Sequence, residues 1–344
     1  SRPHAGRTVS DDLADVTIIG AGPTGLFGLF YAGMRGVRAR IIDALPQLGG
    51  QLSALYPEKD VYDVAGFPEV LAKDLADDLV EQATQFDDQE ICLEERVESL
   101  RREDGHFVLG TDRGERPTKT VVIAAGKGAF KPRRLDVPGF DRFWKDGVWP
   151  HVHDREHFGG RRVLIVGGGD SAFDWSWELR NEVAELTHIH RSDRYRAHET
   201  TVENVEAANA RGELDLLTYH EVAEIHGDGR VEGATIYHNE SDEERFLEVD
   251  DVLALIGFVP NLGPISEWGV ELEGNCIRVD SRMMTNVPGV YAAGDIATYE
   301  GKLDLIATGF GEAAIAVNNA VHFANPDSKV DPGHSTSAAA FRDK

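Results

Sequence analysis

The chain has 344 residues, 41% apolar and 28% charged, and its 35 basic against 60 acidic side chains leave a formal net charge of −25. That length predicts two domains with substantial cores, and apolar content at this level excludes wholesale disorder. The acidity makes nucleic acid and anionic membranes poor partners, absent a strong local basic patch. No apolar run approaches the ~20 residues that span a bilayer, and the polar N-terminus lacks the apolar stretch of a secretory signal, so a cytoplasmic location is expected. Cys92 and Cys276, far apart in sequence, read as two buried thiols rather than a metal or redox pair.

Taken in chain order, residues 15–20 are a β-branched run that predicts a strand. Gly20-Ala-Gly22-Pro-Thr-Gly25 follows, then a helix over 26–36 and a second strand over 37–42 that ends at Asp43. An acidic stretch at 74–88 reads as a solvated helix face. The opening pattern recurs as a strand over 162–166, then Gly167-Gly-Gly169-Asp170-Ser171-Ala172, a helix over 173–183, and a strand over 186–189 that runs into His190-Arg191. Strand, glycine turn, helix and strand make a βαβ unit, here written twice.

In such a turn the first glycine permits the bend, the second lets a pyrophosphate approach the backbone, and the third seats helix on strand; Ala172 can stand in the third place. The helix N-terminus offers free N–H groups to phosphate. Gly20, Gly22 and Gly25 thus form one expected dinucleotide turn, and Gly167, Gly169, Asp170 and Ser171 the other. The second-strand ends differ. A carboxylate such as Asp43 bonds a ribose 2′-hydroxyl and repels a 2′-phosphate, whereas Arg191 does the reverse. A flavin dinucleotide is expected in the first unit and NADPH in the second, which implies electron transfer between them.

Residues 121–126 read as the strand where a first domain hands over to a second. Residues 290–295 read as a late strand ending in Gly294-Asp295, followed by a helix over 310–323. The expected architecture is α/β, with two Rossmann-like dinucleotide-binding domains. Residues 1–127 and 262–344 form the FAD-binding domain, and residues 128–261 form an inserted NADPH-binding domain. Within the insertion, 203–250 read as a sheet segment. His151, His153 and His157, like His188, His190 and His198, lack metal-ligand spacing, so no metal is expected. Trp175 and Trp177 read as packing residues.

With these residues placed, the chain resembles the two-domain pyridine-nucleotide disulfide oxidoreductases, specifically the thioredoxin-reductase-like ferredoxin–NADP reductases. The resemblance runs through residues 45–59, 61–68, 167–172, 285–295, 309–313 and the C-terminal His334-Ser-Thr-Ser337. Thioredoxin reductases of this type carry Cys-x-x-Cys just upstream of the second glycine motif, where this chain reads Trp149-Pro-His-Val-His-Asp154. The resemblance implies a homodimeric flavoprotein using FAD and NADPH. On that resemblance hydride would pass to flavin N5, and electrons would leave singly to ferredoxin or flavodoxin. It also implies FAD contacts from Thr24, Asp43, Gln51, Val97, Phe130, Asp295 and Thr336. Tyr56 would stack on one face of the flavin, and His334 of the other protomer on the opposite face. Arg191 and Arg196 would clamp the 2′-phosphate, with Ser192 where many relatives have a second arginine. No acid–base residue is assigned. Lys131, Arg133, Arg134 and Arg142 are candidates for a basic docking patch. A diaphorase, a low-molecular-weight disulfide reductase and a flavin redox sensor remain alternatives.

Overall fold

The strand expected at 15–20 forms over Ala14–Ile19 (β1), and all but one of its residues are buried, as a strand covered on both faces requires. A computed structural model describes residues 12–128, 131–152, 154–259, 261–338 and 341. The chain divides into two compact units, Ser1–Ala129 with Pro260–Lys344, and Phe130–Val259. Among the described residues no helix is long and apolar enough to cross a membrane.

After β1, α1 (Pro23–Met34) opens with proline at its first turn, where the missing N–H costs nothing. Then come β2 (Ala39–Ile42), the short α2 (Gln51–Ala54), a small hairpin of β3 (Asp60–Val61) and β4 (Val70–Leu71), α3 (Ala72–Ala83) and β5 (Gln89–Cys92). In α3 the buried residues Ala72, Leu75, Ala76, Leu79 and Ala83 recur at helical spacing, which leaves Asp74, Asp77 and Asp78 on the solvated side. A meander of β6 (Val97–Glu103), β7 (His106–Thr111) and β8 (Gly114–Ile123) completes the first segment.

The second unit begins with β9 (Lys131–Pro132) and β10 (Val148–Trp149). It continues through β11 (Arg162–Val166), α4 (Asp170–Leu179), β12 (Glu185–His190), α5 (Glu199–Ala210) and β13 (Asp215–Thr218). Next are β14 (His220–His226), β15 (Gly233–His238), β16 (Glu244–Leu247), β17 (Asp251–Ala254) and β18 (Phe258–Val259). The expected sheet over 203–250 is therefore corrected at its start. Residues 203–210 are helical, with Val205 and Ala208 buried three apart on one face. Parallel strands run β10-β17-β11-β12-β13, and β14-β15-β16 make a separate antiparallel sheet.

The returning segment adds β19 (Leu272–Glu273), β20 (Cys276–Arg278), β21 (Val290–Ala292), β22 (Ala297–Thr298) and α6 (Ile306–Ala324) to the first unit. Its sheet runs β5-β2-β1-β8, all parallel. The N-terminal half of β8 carries β7 and β6, and its C-terminal half pairs with β21 from Val121↔Val290 to Ile123↔Ala292. Alternation sends Ile18, Ile41 and Val122 into one core layer with α1, α3 and α6. Ile19, Ile42 and Ile123 enter another with Phe107, Leu109 and Trp268. Burying each such side chain stabilises the fold by roughly 1.5–3 kcal/mol. Arg40 is fully buried in β2, and its guanidinium bonds Glu90 at 2.8 Å, Asp12 at 3.0 Å and the Pro117 carbonyl.

Candidate functional site

In the first unit the glycine turn joins β1 to α1 at the C-terminal edge of the parallel sheet, where such folds bind ligands. Gly20 has φ +105°, and a β-carbon there would lie 2.4 Å from the Ala124 carbonyl oxygen. On Gly25 it would lie 1.8 Å from the Gly20 carbonyl oxygen. These two glycines are demanded by backbone packing. Gly22, which caps α1, is different: its nearest neighbour would be the Gly50 Cα at 3.9 Å. The open approach at Gly22 and the free N–H groups of the first turn fit a pyrophosphate.

Asp43, at the end of β2, accepts the Ala21 N–H at 2.6 Å on one oxygen and the Leu45 N–H at 2.8 Å on the other. Burial pushes its carboxyl up, and the Ala21, Leu45 and Ala44 N–H groups oppose that shift. Three N–H groups on two oxygens still leave the carboxylate a lone pair for a hydroxyl. Gln51 opens α2, and its Nε2 would lie 3.2 Å from a β-carbon on Gly126. Thr24 packs on Gly294 and Gly309, whose added β-carbons would come 2.8 and 2.4 Å from its Oγ1. Val97 is buried with Ile19 and Ile42, the last residues of β1 and β2.

Tyr56 and Asp295 share one electrostatic neighbourhood. The Tyr56 hydroxyl is pushed up to about 12 by burial and by the charges of Asp295 and Asp63, so it stays protonated across the physiological range. Burial and Asp304 raise the Asp295 carboxyl, against Lys127 and Lys302.

In the second unit, a β-carbon on Gly167 would lie 2.4 Å from the Leu255 carbonyl oxygen, and one on Gly168 would enter the His190 ring. Gly169, the cap of α4, has nothing within 4 Å of that position, the same open approach as at Gly22. Asp170 accepts the His198 N–H at 2.8 Å, Ser171 is exposed beside it, and the Arg196 N–H donates to the Gly168 carbonyl at 2.7 Å. Arg191 and Arg196 are exposed, and neither makes an ion pair among the described residues. Burial lowers His190, and the positive charges of both arginines lower it further. Two cations beside an open helix N-terminus, in a chain this acidic, fit a phosphate monoester.

The family model for pyridine nucleotide-disulphide oxidoreductase matches residues 14–320, which takes in both glycine turns. The chain belongs to this family. Among curated relatives, the ferredoxin–NADP reductase of Thermus thermophilus is 53% identical over 330 residues, covering 96% of this chain and 98% of that protein. Ferredoxin–NADP reductase 2 of Shouchella clausii is 51% identical over 95% of this chain and 98% of its own length. Among solved structures, the thioredoxin reductase of T. acidophilum has a TM-score of 0.76 and 27% identity, with 92% of this chain and 100% of that one covered.

Other expected residues of this oxidoreductase fall less simply. Phe130 and His153 lie outside the described residues. His334 and Thr336 are exposed around the 3-10 turn Ser335–Ser337. The chain on either side of them is anchored at the C-terminal half of α1 and on Phe86. Arg35 holds the carbonyls of Lys329 and Val330, and Phe341 packs on Phe30 and Phe86. Both anchors lie away from the strand ends that carry Asp43 and Asp295.

The expected basic patch is partly spent. Arg134 pairs with Asp141 at 2.7 Å and lies over Trp144, and Arg142 reaches Asp228 and Phe143. Arg133 makes no ion pair among the described residues. Cys92 is buried as expected, but Cys276 is partly exposed, with its thiol 3.6 Å from the Asp295 carbonyl. His157 bonds buried Asp251 at 3.1 Å, and His188 bridges Ser176 and the Gly167 carbonyl. Trp175 is core, and Trp177 stacks under Arg180.

Sequence reasoning missed Glu312. It is buried in α6 and accepts the Gly294 N–H at 2.7 Å, the Tyr299 hydroxyl at 2.6 Å and the Lys302 ammonium at 2.5 Å. It thereby fixes the backbone immediately before Asp295. The available signal was that Glu312 is the single Asp, Glu, Lys or Arg in the run Ile306–Ala324.

Proposed function

We propose that the protein is an FAD-dependent ferredoxin–NADP reductase, passing electrons between NADPH and a ferredoxin or flavodoxin. The observation that carries this reading is a pair of open glycine turns whose second strands end in opposite charges, Asp43 in one and Arg191 with Arg196 in the other. The relatives at about half identity over nearly the whole chain support the same activity.

On this reading residues 1–127 and 262–344, within the first unit, hold FAD, and the inserted residues 128–261 hold NADPH. Gly20, Gly22 and Gly25 shape the first turn for the pyrophosphate, Thr24 supports it, and Asp43 accepts the adenosine ribose hydroxyl. Gln51, Val97, Phe130, Asp295 and Thr336 line the remainder. Tyr56 offers a flat, permanently protonated phenol for stacking on one ring face, and His334 from a second copy covers the other in a cytoplasmic homodimer. Gly167 and Gly169 admit the NADPH pyrophosphate, Asp170 and Ser171 open the helix toward it, and Arg191 and Arg196 hold the 2′-phosphate. FAD, when bound, takes a two-electron hydride from NADPH and gives up its electrons one at a time. The chain's own share is binding, orientation and exclusion of water. With no Cys-x-x-Cys at 149–154, dithiol exchange with a protein disulfide has no relay.

The test is an anaerobic NADPH titration of the purified holoprotein with ferredoxin or flavodoxin present. The expected result is bleaching of a yellow chromophore followed by reduction of the carrier. A protein that neither carries nor rebinds FAD, or one that bleaches but reduces only dyes, overturns the reading.

A further inference from the structure

The loop that carries Arg191, Arg194 and Arg196 brings three like charges close together. Its Tyr195 ring packs on Phe173 and its Asp193 accepts the Tyr219 hydroxyl, but none of the three arginines makes an ion pair among the described residues. The Ser192 hydroxyl, a candidate phosphate donor in many relatives' arginine position, is turned into the loop. It accepts the Arg194 N–H at 3.3 Å and lies 3.4 Å from the Arg194 carbonyl. The backbone of the loop is held by groups outside it. The Arg196 N–H reaches Gly168, the His198 N–H reaches Asp170, and the Arg194 carbonyl meets His190 Nε2 at 3.2 Å. All three of these pins act at residues 194–198, on the side of the glycine turn.

The fourth pin comes from the antiparallel sheet. Asn239, just past β15, has its backbone fixed by an N–H bond of 2.8 Å to the Tyr219 carbonyl. From that base its Nδ2 donates one proton to the Arg191 carbonyl at 2.8 Å and the other to Glu221 Oε1 at 3.0 Å. Both amide protons are spent. Of the four pins, only this one acts at Arg191.

We propose that Asn239 is a specificity-determining positioning residue. By tying the Arg191 backbone to Glu221 it holds the Arg191 guanidinium where a nucleotide 2′-phosphate would meet it, without touching the nucleotide. The inference rests on the proposed placement of NADPH in this unit. The geometry also sets an order among variants. An alanine removes the tie. An aspartate of the same shape replaces two donors with acceptors facing a carbonyl and a carboxylate, and so pushes the loop away.

The test compares NADPH with NADH in steady-state reduction of ferricyanide by the holoprotein, with 2′,5′-ADP and AMP titrated as binding probes. Asn239→Ala is expected to raise the KM for NADPH about 5- to 10-fold, the factor that accompanies loss of one net hydrogen bond. The kcat and the KM for NADH should stay within about 2-fold. Asn239→Asp should raise the NADPH KM further. Binding of 2′,5′-ADP should weaken in parallel, with AMP unaffected. Asn239→Gln, which keeps the amide, serves if the alanine variant loses FAD, and it should show the same one-sided shift. Arg191→Ala separates the two levels of the argument. If it discriminates between the nucleotides while every Asn239 variant affects both equally or neither, the role of Asn239 is overturned and the NADPH site stands. If Arg191→Ala fails to discriminate, the NADPH site falls, and this inference with it.

Discussion

On the proposed reading the two glycine turns do the same job with opposite construction. In the first unit the charged residue belongs to the architecture: Asp43 is half-buried and its oxygens brace Ala21 and Leu45. In the second the charged residues stand outside the architecture. Arg191 and Arg196 project into solvent, and what holds them is a set of backbone pins from Gly168, Asp170, His190 and Asn239. A recognition group that is also a structural brace is hard to change, whereas one mounted on a pinned loop is easy to change. The first turn is therefore expected to be rigid in its choice of nucleotide and the second adaptable.

The largest break in this comparison is Gly25→Ala. Its β-carbon would meet the Gly20 carbonyl at 1.8 Å, and neither backbone can yield. A loss of about 3 kcal/mol, read from the urea midpoint, is expected together with loss of FAD. Gly22→Ala sharpens the same point from the other side. With 3.9 Å of clearance the fold should keep its stability, yet FAD affinity, measured by flavin fluorescence, should fall at least about tenfold because the pyrophosphate loses its close approach.

Next in size is Arg191→Ala. Removing one charge-assisted bond to the 2′-phosphate should lower kcat/KM for NADPH about 10- to 100-fold and leave NADH nearly unchanged, as steady-state rates will show.

The pH dependence of stability tests a separate part of the second turn. His188 is fully buried and pressed down to about 4 by that burial, the Gly167 carbonyl opposing. The folded state thus takes its proton later than the unfolded state as pH falls. Stability present above pH 6.5 should drain away between there and about 4, amounting to about 3 kcal/mol. Urea midpoints at pH 7 and 4.5 measure this, and His188→Gln should remove that part of the slope. The smallest effect is expected at Arg133, the candidate docking arginine without an ion pair among the described residues. Arg133→Glu should raise the KM for an acidic ferredoxin about 3-fold at low salt, a difference that 0.5 M salt abolishes.

Much of this was legible in the sequence because the features are local. Gly25 is fixed by its clearance from Gly20 within one turn, and β1, β2, β11 and β12 announce themselves by short β-branched runs. The helix α5 was not legible. Its Thr200, Thr201, Val202 and Val205 suit a strand as well as a helix, and packing of Val205 and Ala208 decides the matter. Nor was the pairing of Arg134 and Arg142 with nearby acids, which removes two of the four expected docking cations. Asn239 and Glu312 escaped for one reason. Asn239 reaches across 48 residues of chain to Arg191, and Glu312 across 18 to Gly294, and no local pattern encodes either meeting.

The Lys302–Glu312 pair has a consequence for descent. Remove the lysine and Glu312 still receives the Tyr299 hydroxyl and the Gly294 N–H. Remove the glutamate first and the part-buried ammonium loses its paired carboxylate, a cost of several kcal/mol. Loss of the base before the acid is accordingly expected to be the easier order of substitution at these two positions.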